Sequence, residues 1–196
     1  MDETLAAAGE DGLLRCPWGI APDDYREYHD TEWGVPVRGD RALFERMSLE
    51  AFQSGLSWLT ILRRRDGFRA AFADFDMGRI AAFTEEDVTR LLQDPGIIRN
   101  RQKIEATVSN ARIAAGWADG DLTELIWSHA PDPAERPAPR GNGDVLAITP
   151  ESTALSVALR KHGFRFVGPT TAHALMQACG LVNDHLADCH FRGIGR

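Results

Sequence analysis

The spacing of apolar residues constrains this chain more than any other feature of its sequence. Apolar side chains recur every three or four residues in several segments, and strict alternation of apolar and polar residues is nearly absent. The first pattern is typical of amphipathic helices and the second of strands, so we expect an all-α protein. The expected helices cover residues 40–53, 58–72, 101–117, 121–128, 150–161 and 170–179, and one more begins at Thr84, where Asp87 three residues later completes a capping pattern.

The length and composition favour one folded domain. The chain has 196 residues, 43% of them hydrophobic, which is enough to bury a core. We expect a single domain over 15–190, built of two helical lobes with a Pro-rich surface loop at about 131–142, between a disordered tail over 1–14 and a short tail over 191–196. No segment approaches the roughly 20 apolar residues of a membrane span or contains a signal peptide. We therefore expect a cytoplasmic protein with no membrane partner. As a separate expectation, the protein is a monomer.

The net charge of -7 argues against a protein that binds nucleic acid through its overall charge. Basic residues nevertheless cluster locally, at 63–65, 99–103 and 160–165. A binding face needs only local positive potential, although such clusters are, on their own, more typical of solvated helix faces.

Four residues near the two ends of the chain have the chemistry of metal ligands. Cys16 and His29 lie near the start, and His185 and Cys189 lie near the end with the spacing that places two side chains on one face of a helix. Two thiolates and two imidazoles make a closed tetrahedral set suited to one structural zinc ion per chain. The alternative is a surface histidine, a buried cysteine and a histidine hydrogen-bonded in the core, and composition alone does not separate the two.

The remaining candidates for that site are weaker. Cys179 lies in an apolar run and is expected in the core, and His190 points about 100° away from Cys189 on a helix. An odd number of cysteines in a reducing compartment makes disulfides a poor expectation.

A glycine-containing turn between two expected helices is a candidate phosphate-binding hairpin. Its glycines allow a close approach to a ligand, and the amides at the start of the next helix point outward with the positive end of the helix dipole behind them. The residues that we expect to contact a phosphate are Gly163, Arg165, Gly168, Thr170 and Thr171. A plain turn between helices would show the same pattern.

Five segments of the sequence closely resemble the bacterial DNA-3-methyladenine glycosylase I (Tag) family. They are 15–19, 28–36, 49–58, 94–100 and 163–189, so the resemblance covers nearly the whole chain from Arg15 to Cys189. It implies a helix-hairpin-helix DNA glycosylase fold with a structural zinc clamp joining the termini, held by Cys16, His29, His185 and Cys189. It also implies double-stranded DNA carrying alkylated adenine as the partner.

The resemblance carries over the base pocket of the family residue by residue. It implies that Glu50 and Tyr28 are the catalytic, hydrogen-bonding partners of the damaged base and that Trp58 stacks on it, with further walls from Trp18, Trp33 and Tyr25. It also implies that the turn after Glu50 enters the gap left by the flipped base, with contacts from Gln53, Gly55 and Leu56. Physical chemistry agrees, because a flipped cationic purine needs a planar stacking surface and a carboxylate. Ala51 and Phe52 depart from the family pattern, and we expect a differently shaped wall there.

The expected reaction is hydrolysis without a strong general acid, because methylation at N3 makes the purine a good leaving group. Related glycosylases place an aspartate after the hairpin, but Asn183 stands at that position, and on a helix Asp184 would point about 100° away from it. The only two lysines, Lys103 and Lys161, lie outside the pocket motifs, so we expect no lyase activity.

Two other functions remain open at this stage. A non-catalytic helix-hairpin-helix module would bind DNA through its phosphates alone and would have no need of Glu50, Tyr28 and Trp58 together. A zinc-dependent interaction protein would lack salt-sensitive DNA binding.

Overall fold

The computed structural model describes residues 5–193, and these residues form a mostly helical protein. Ten α-helices and two short strands lie in this part of the chain. The strands are β1 (Ala7–Ala8) and β2 (Leu14–Arg15), and the helices are α1 (Asp23–Thr31), α2 (Asp40–Gln53), α3 (Trp58–Leu62), α4 (Arg65–Ala71), α5 (Met77–Ala81), α6 (Glu85–Gln93), α7 (Arg101–Ala114), α8 (Asp121–Trp127), α9 (Pro150–Lys161) and α10 (Pro169–Ala178). The prediction of an all-α fold is confirmed apart from this one strand pair.

The helix α2 lies at the centre of the core and has the predicted bounds. Its buried side chains include Phe44, Leu49 and Phe52, and the ring of Phe52 packs 4.6 Å from that of Phe68 on α4. Because apolar residues cover most of its circumference, α2 also buries a carboxyl group, that of Glu50. A side chain on such a helix is held in place by packing on several sides.

Two sequence expectations about helices are wrong in detail. The helix expected over 58–72 is two helices, α3 and α4, because Arg64 between them has non-helical backbone angles of φ -109° and ψ 4°. The helices α1 and α5 were not expected. By contrast, α6 begins next to Thr84 as predicted, and the Asp87 carboxylate accepts a hydrogen bond from the Thr84 backbone N–H.

Part of the segment expected to be a disordered tail is ordered. Residues 1–4 lie outside the described residues, but β1 pairs antiparallel with β2, with Ala7 opposite Arg15. The buried guanidinium of Arg15 forms ion pairs of 2.8 Å with both Asp11 and Asp30. These contacts tie the start of the chain to the end of α1. At the other end, residues 190–193 form a 3-10 turn, and residues 194–196 lie outside the described part.

The segment after α10 is not the helix that the spacing of His185 and Cys189 suggested. Gly180 ends α10 with a φ of +72°, and a Cβ atom there would lie 2.6 Å from the backbone nitrogen of Pro36. Only glycine permits so close an approach. Residues 181–189, which we call the C-terminal loop, then run without helical structure over the segment that follows α1.

The Pro-rich loop is at the surface, as expected, but it is fastened at two points. Arg136 forms a 2.8 Å ion pair with Asp184, and the carbonyl of Pro139 accepts a 2.7 Å hydrogen bond from Ala187. Both partners belong to the C-terminal loop. Within residues 5–193, no helix combines the length and the apolar composition that crossing a bilayer requires.

Candidate functional site

A cavity of about 360 Å³ opens between α1, α2, α3, α10 and the C-terminal loop. Five aromatic side chains and two polar side chains of α2 line it: Trp18, Tyr25, Tyr28, Trp33, Trp58, Glu50 and Gln53. The structure therefore brings together all six residues that the sequence analysis assigned to a base pocket. Its volume suits a small planar molecule.

The aromatic side chains form a continuous wall. The ring of Trp18 lies 4.9 Å from those of Tyr25 and Trp33, and the rings of Tyr28 and Trp58 are 5.3 Å apart. The Nε1–H of Trp58 is buried and has no hydrogen-bond partner in the described structure. A flat ligand would find both a stacking surface and an unused donor here.

Glu50 supplies a buried carboxyl group to the same cavity. The residue is 5% exposed, and its Oε2 has no hydrogen-bond partner among the described residues. Burial raises the pKa of Glu50 to about 8, and the opposing effect of the Arg46 charge is smaller. Glu50 is therefore largely protonated at neutral pH. A cationic ligand in the cavity would favour the ionised form of its carboxyl group.

The two tyrosines remain protonated hydroxyl groups. Burial and the charge of Glu50 raise the pKa of Tyr28 well above its ordinary value, and the same two causes raise the pKa of Tyr25. Each can donate a hydrogen bond into the cavity.

The opposite side of the cavity was not predicted from the sequence. It is lined by Asn142 and Val145 from the segment around the end of the Pro-rich loop, Ala174 and Gln177 from α10, and Asp184 and Leu186 from the C-terminal loop. No motif spacing connects these segments, so no local signal could have identified them. Ala51 and Phe52, expected to shape a wall, are instead buried in the core and do not line the cavity.

The expected orientations of Asn183 and Asp184 are reversed. Asp184 lines the cavity, and its carboxylate accepts hydrogen bonds from Gln177 and Arg136 and lies 3.2 Å from His173. Although burial acts to raise it, these contacts lower the pKa of Asp184 to about 2. The side chain of Asn183 instead donates to the carbonyl of Arg192. The reversal follows from the irregular backbone at 183–184, because the angle of about 100° between successive side chains holds only in a helix.

Residues 53–56, which we call the gap turn, begin at the last residue of α2. Gly55 has a φ of +83°, and the carbonyl of Gln53 accepts a hydrogen bond from Leu56. Leu56 is 42% exposed, whereas Gln53 is half-buried against the cavity. The turn therefore presents an apolar side chain to solvent beside the cavity mouth.

Residues 163–168, which we call the hairpin, connect α9 to α10. Gly163 has a φ of +94° and Phe166 a φ of +56°, whereas Gly168 has an ordinary φ of -63°. The positive φ angles of the hairpin are thus at Gly163 and Phe166, and not at its second glycine. Phe164 and Val167 are buried and anchor the hairpin. Arg165 and Thr170 are exposed and Thr171 is half-buried at the start of α10.

The four candidate metal ligands form one buried cluster. Cys189 Sγ lies 3.7 Å from His29 Nε2 and 3.5 Å from His185 Nδ1, and Cys16 Sγ lies 3.8 Å from His185 Nδ1. All four ligand atoms lie within 4.8 Å of one another, so the cluster could hold a metal ion. Hydrogen bonds from Cys16, His185 and His29 lower the pKa of the Cys189 thiol, and the thiolate is the form that binds metals. 

Partners outside the cluster orient its imidazoles. His29 Nδ1 lies 2.8 Å from a carboxylate oxygen of Asp30, which Arg15 holds, and His185 Nε2 lies 3.0 Å from the carbonyl oxygen of Trp33. Metal-bound histidines commonly have such partners on the second ring nitrogen. Since Trp33 and Cys16 also line the cavity, the cluster supports one of its walls directly.

Comparison with known proteins gives a consistent result. A family model for methyladenine glycosylase matches residues 18–193. The DNA-3-methyladenine glycosylase 1 of Escherichia coli (strain K12) is 44% identical over 90% of this chain and 96% of its own length. A solved structure of a 3-methyladenine DNA glycosylase I superposes with a TM-score of 0.82 at 46% identity, covering 90% of this chain and 98% of the other. One from Staphylococcus aureus, solved for its recognition of 3-methyladenine, has a TM-score of 0.81 at 34% identity and covers 91% of this chain and 96% of its own.

Proposed function

The chain belongs to the methyladenine glycosylase family, and we propose that it is a base-excision repair enzyme that hydrolytically removes 3-methyladenine from DNA. The single observation that carries this proposal beyond family membership is the buried, unpaired carboxyl of Glu50 in an aromatic cavity. An uncharged purine could stack in such a cavity, but a base with a positive charge also stabilises the ionised carboxylate of Glu50.

In the proposed mechanism, the damaged nucleotide leaves the base stack and its base enters the cavity. Trp58 stacks on the base, Trp18, Trp33 and Tyr25 close the aromatic wall, and Tyr28 and Glu50 hydrogen-bond to its edge. The positive charge of the base then lies next to Glu50, whose ionised form it stabilises. When the glycosidic bond breaks, its electron pair moves to the methylated purine, which departs as a neutral molecule. Water adds to the oxocarbenium-like sugar and releases one proton to solvent.

We further propose a helix-hairpin-helix mode of DNA binding. In this arrangement the hairpin binds a backbone phosphate through the amides at the start of α10 and through Gly163, Arg165, Gly168, Thr170 and Thr171. The gap turn, with Gln53, Gly55 and Leu56, fills the space that the flipped base leaves. The exposure of Arg165, Thr170 and Leu56 supports both assignments. The partner is double-stranded DNA, and the enzyme acts as a monomer in the cytoplasm.

The metal that best suits the Cys/His cluster is zinc, one ion per chain, in a structural role. In a tetrahedral zinc site, sulfur and nitrogen ligands at about 2.3 Å and about 2.0 Å from the metal lie about 3.5 Å apart. The sulfur–nitrogen separations of 3.5, 3.7 and 3.8 Å in the cluster are close to this value and support the choice. Zinc would hold the four side chains and so fasten the C-terminal loop to the start of the chain, and with four protein ligands it would take no part in the reaction.

The absence of a lyase step is part of the proposal. Lys103 is buried with its ammonium group bonded to the carbonyls of Phe52 and Ser54, and Lys161 lies at the end of α9, so neither amine lines the cavity. An abasic-site duplex should therefore remain uncut.

The test is release of bases from methylated duplex DNA, identified by chromatography. The expected result is release of 3-methyladenine by the parent protein and a sharp loss of release by Glu50→Gln. Glu86→Gln, a matched change of an exposed carboxylate on α6, should behave like the parent. DNA binding without any base release would instead identify a non-catalytic binding module.

A further inference from the structure

A buried lysine of α7 fixes the gap turn. Lys103 is 7% exposed, and its ammonium group donates hydrogen bonds of 2.9 Å to the carbonyl of Phe52 and 2.6 Å to that of Ser54. These two carbonyls flank Gln53 at the end of α2, where carbonyls have no partner within the helix and the helix dipole is negative. Lysine is rarely buried without a charged partner, and burial lowers the pKa of Lys103. The two hydrogen bonds to the carbonyls of Phe52 and Ser54 explain why Lys103 is buried at this position.

A buried asparagine of the same helix fixes the hairpin. Asn110 is 3% exposed; its Nδ2–H donates to the carbonyl of Arg165 at 3.0 Å, and its Oδ1 accepts from the backbone N–H of Arg165 at 2.8 Å. A pair of opposite hydrogen bonds to one residue sets both the position and the orientation of the backbone there. Arg165 directly precedes Phe166, which has the unusual positive φ, so Asn110 supports the tightest part of the hairpin.

Lys103 and Asn110 lie on one face of one rigid element. They are seven residues apart, which is about two helical turns or about 10.5 Å along the axis. Between them the helix is packed in the core, with Ile104, Ala106, Thr107 and Val108 buried. The distance between the two attachment points is therefore set by α7 rather than by the loops.

We propose that Lys103 and Asn110 are positioning residues. Through α7 they fix the distance between the gap turn and the hairpin, the two segments that contact DNA in the proposed function. The proposal rests on the proposed function, because the spacing matters only if both segments contact the same duplex. A phosphate at the hairpin and a gap in the base stack are a fixed distance apart on DNA, so a protein that grips both must hold its two contacts at the matching distance.

The same helix supplies a control. Arg112 also donates to two carbonyls outside α7, those of Ala81 and Phe83, at 3.1 Å and 2.8 Å. These carbonyls lie at the end of α5 and in its connection to α6, and neither belongs to the gap turn or the hairpin. Arg112→Met thus removes side-chain hydrogen bonds to two carbonyls from an exposed position of α7, and it leaves the hydrogen bonds to the gap turn and the hairpin in place.

The experiment compares Lys103→Met, Asn110→Ala and Arg112→Met in three binding measurements: an undamaged duplex, a duplex with an abasic-site analogue, and free 3-methyladenine. Asn110→Ala should weaken binding to both duplexes about tenfold. Lys103→Met should weaken binding to the abasic duplex about tenfold more than binding to the undamaged duplex, because only the abasic duplex offers a gap. Free-base affinity should change less than about threefold in each. Lys103→Arg, which keeps the charge and the donors, should restore abasic-duplex binding.

Two outcomes overturn the proposal: duplex affinities of Lys103→Met and Asn110→Ala no weaker than that of Arg112→Met, or free-base affinity that falls in parallel with duplex affinity. If either variant fails to fold in thermal unfolding, Lys103→Gln and Asn110→Asp are judged by the same criteria. A parent protein that neither releases 3-methyladenine nor prefers the abasic duplex refutes the proposed function itself. If the parent releases 3-methyladenine and prefers the abasic duplex, but the variants have the same duplex affinities as Arg112→Met, only the role of α7 is refuted.

Discussion

At the scale of single residues, the charge of Glu50 separates damaged from normal bases. Glu50→Gln keeps the shape of the side chain and removes its charge. A hydrogen bond to a charged group contributes roughly 1.5–3 kcal/mol, so single-turnover excision of 3-methyladenine should fall by about tenfold to about a hundredfold. Affinity for undamaged duplex, which depends on phosphates, should hardly change.

Asn183→Ala serves as the comparison for that measurement. Because its side chain bonds to Arg192 and does not line the cavity, this change should affect excision much less than Glu50→Gln. If Asn183→Ala were the more damaging and Glu50→Gln near normal, recognition would not reside in Glu50.

The raised pKa of Glu50 also predicts how excision depends on pH. With a pKa of about 8 in the empty cavity, the carboxyl is protonated below pH 8 and must lose its proton to pair with a cationic base. Excision at subsaturating enzyme should therefore rise from about pH 6.5 towards pH 8 and level off above it. Glu50→Gln should give a flat profile over the same range; an equally steep rise in that variant would assign the pH dependence to another group.

At the scale of elements, the hairpin can be tested without disturbing the fold. Gly168 has a φ of -63°, which any residue adopts, and a Cβ there would lie 3.4 Å from Arg160, an ordinary contact. Gly168→Val should therefore fold normally but obstruct an anion at the start of α10, weakening duplex binding while leaving free-base binding nearly intact. Gly116→Val, with its Cβ also 3.4 Å from its nearest neighbour, is the matched control. Equal duplex affinity in Gly168→Val, Gly116→Val and the parent would exclude the site.

The sequence predicted elements well wherever local signals determine them. The bounds of α2 follow from its dense apolar pattern and from the turn at Gly55, and α6 begins at the capping pair of Thr84 and Asp87. The C-terminal loop was mistaken for a helix because its irregular path follows from a contact distant in sequence, the packing of Gly180 on Pro36. Spacing within one segment carries no information about such a contact.

Only part of the cavity could be predicted from the sequence, for the same reason. Its aromatic wall could be predicted because the residues stand in dense motifs, around Tyr28 and Trp58 for example. The opposite wall could not, because Asn142, Gln177 and Asp184 come from three segments that meet only in the folded chain. The sequence showed Lys103 as part of a basic cluster and as a possible nucleophile, but its attachment to the gap turn depends on the packing of α7 on α2.

At the scale of the whole molecule, the buried carboxyl of Glu50 should make folding stability depend on pH. Its pKa rises on folding from an ordinary 4.5 to about 8, so the folded state holds a proton that the unfolded state has released. The favourable contribution is complete below about pH 4.5 and is lost as pH rises to about 8. The unfolding temperature of Glu50→Gln minus that of the parent should therefore grow between these values and then stay constant. A difference that is independent of pH would contradict this assignment.

The Cys/His cluster joins parts of the chain that are far apart in sequence, and this determines what metal removal should do. Cys16 and His29 belong to the ordered start of the chain, and His185 and Cys189 belong to a loop with no regular structure of its own. Without a metal, the two buried thiols and two imidazoles add only weak contacts between sulfur and nitrogen to the other attachments of that loop, and the cluster supports the aromatic wall at Trp33 less firmly. We expect one tightly bound zinc per chain by elemental analysis, and we expect Cys189→Ser to lower the unfolding temperature and the solubility, because metal-binding energy is folding energy at a structural site.

Cys179→Ser alters a buried cysteine outside the cluster and should retain the zinc. Metal-free protein with unchanged stability and activity would refute the zinc site, and the cluster would then be a set of core hydrogen bonds.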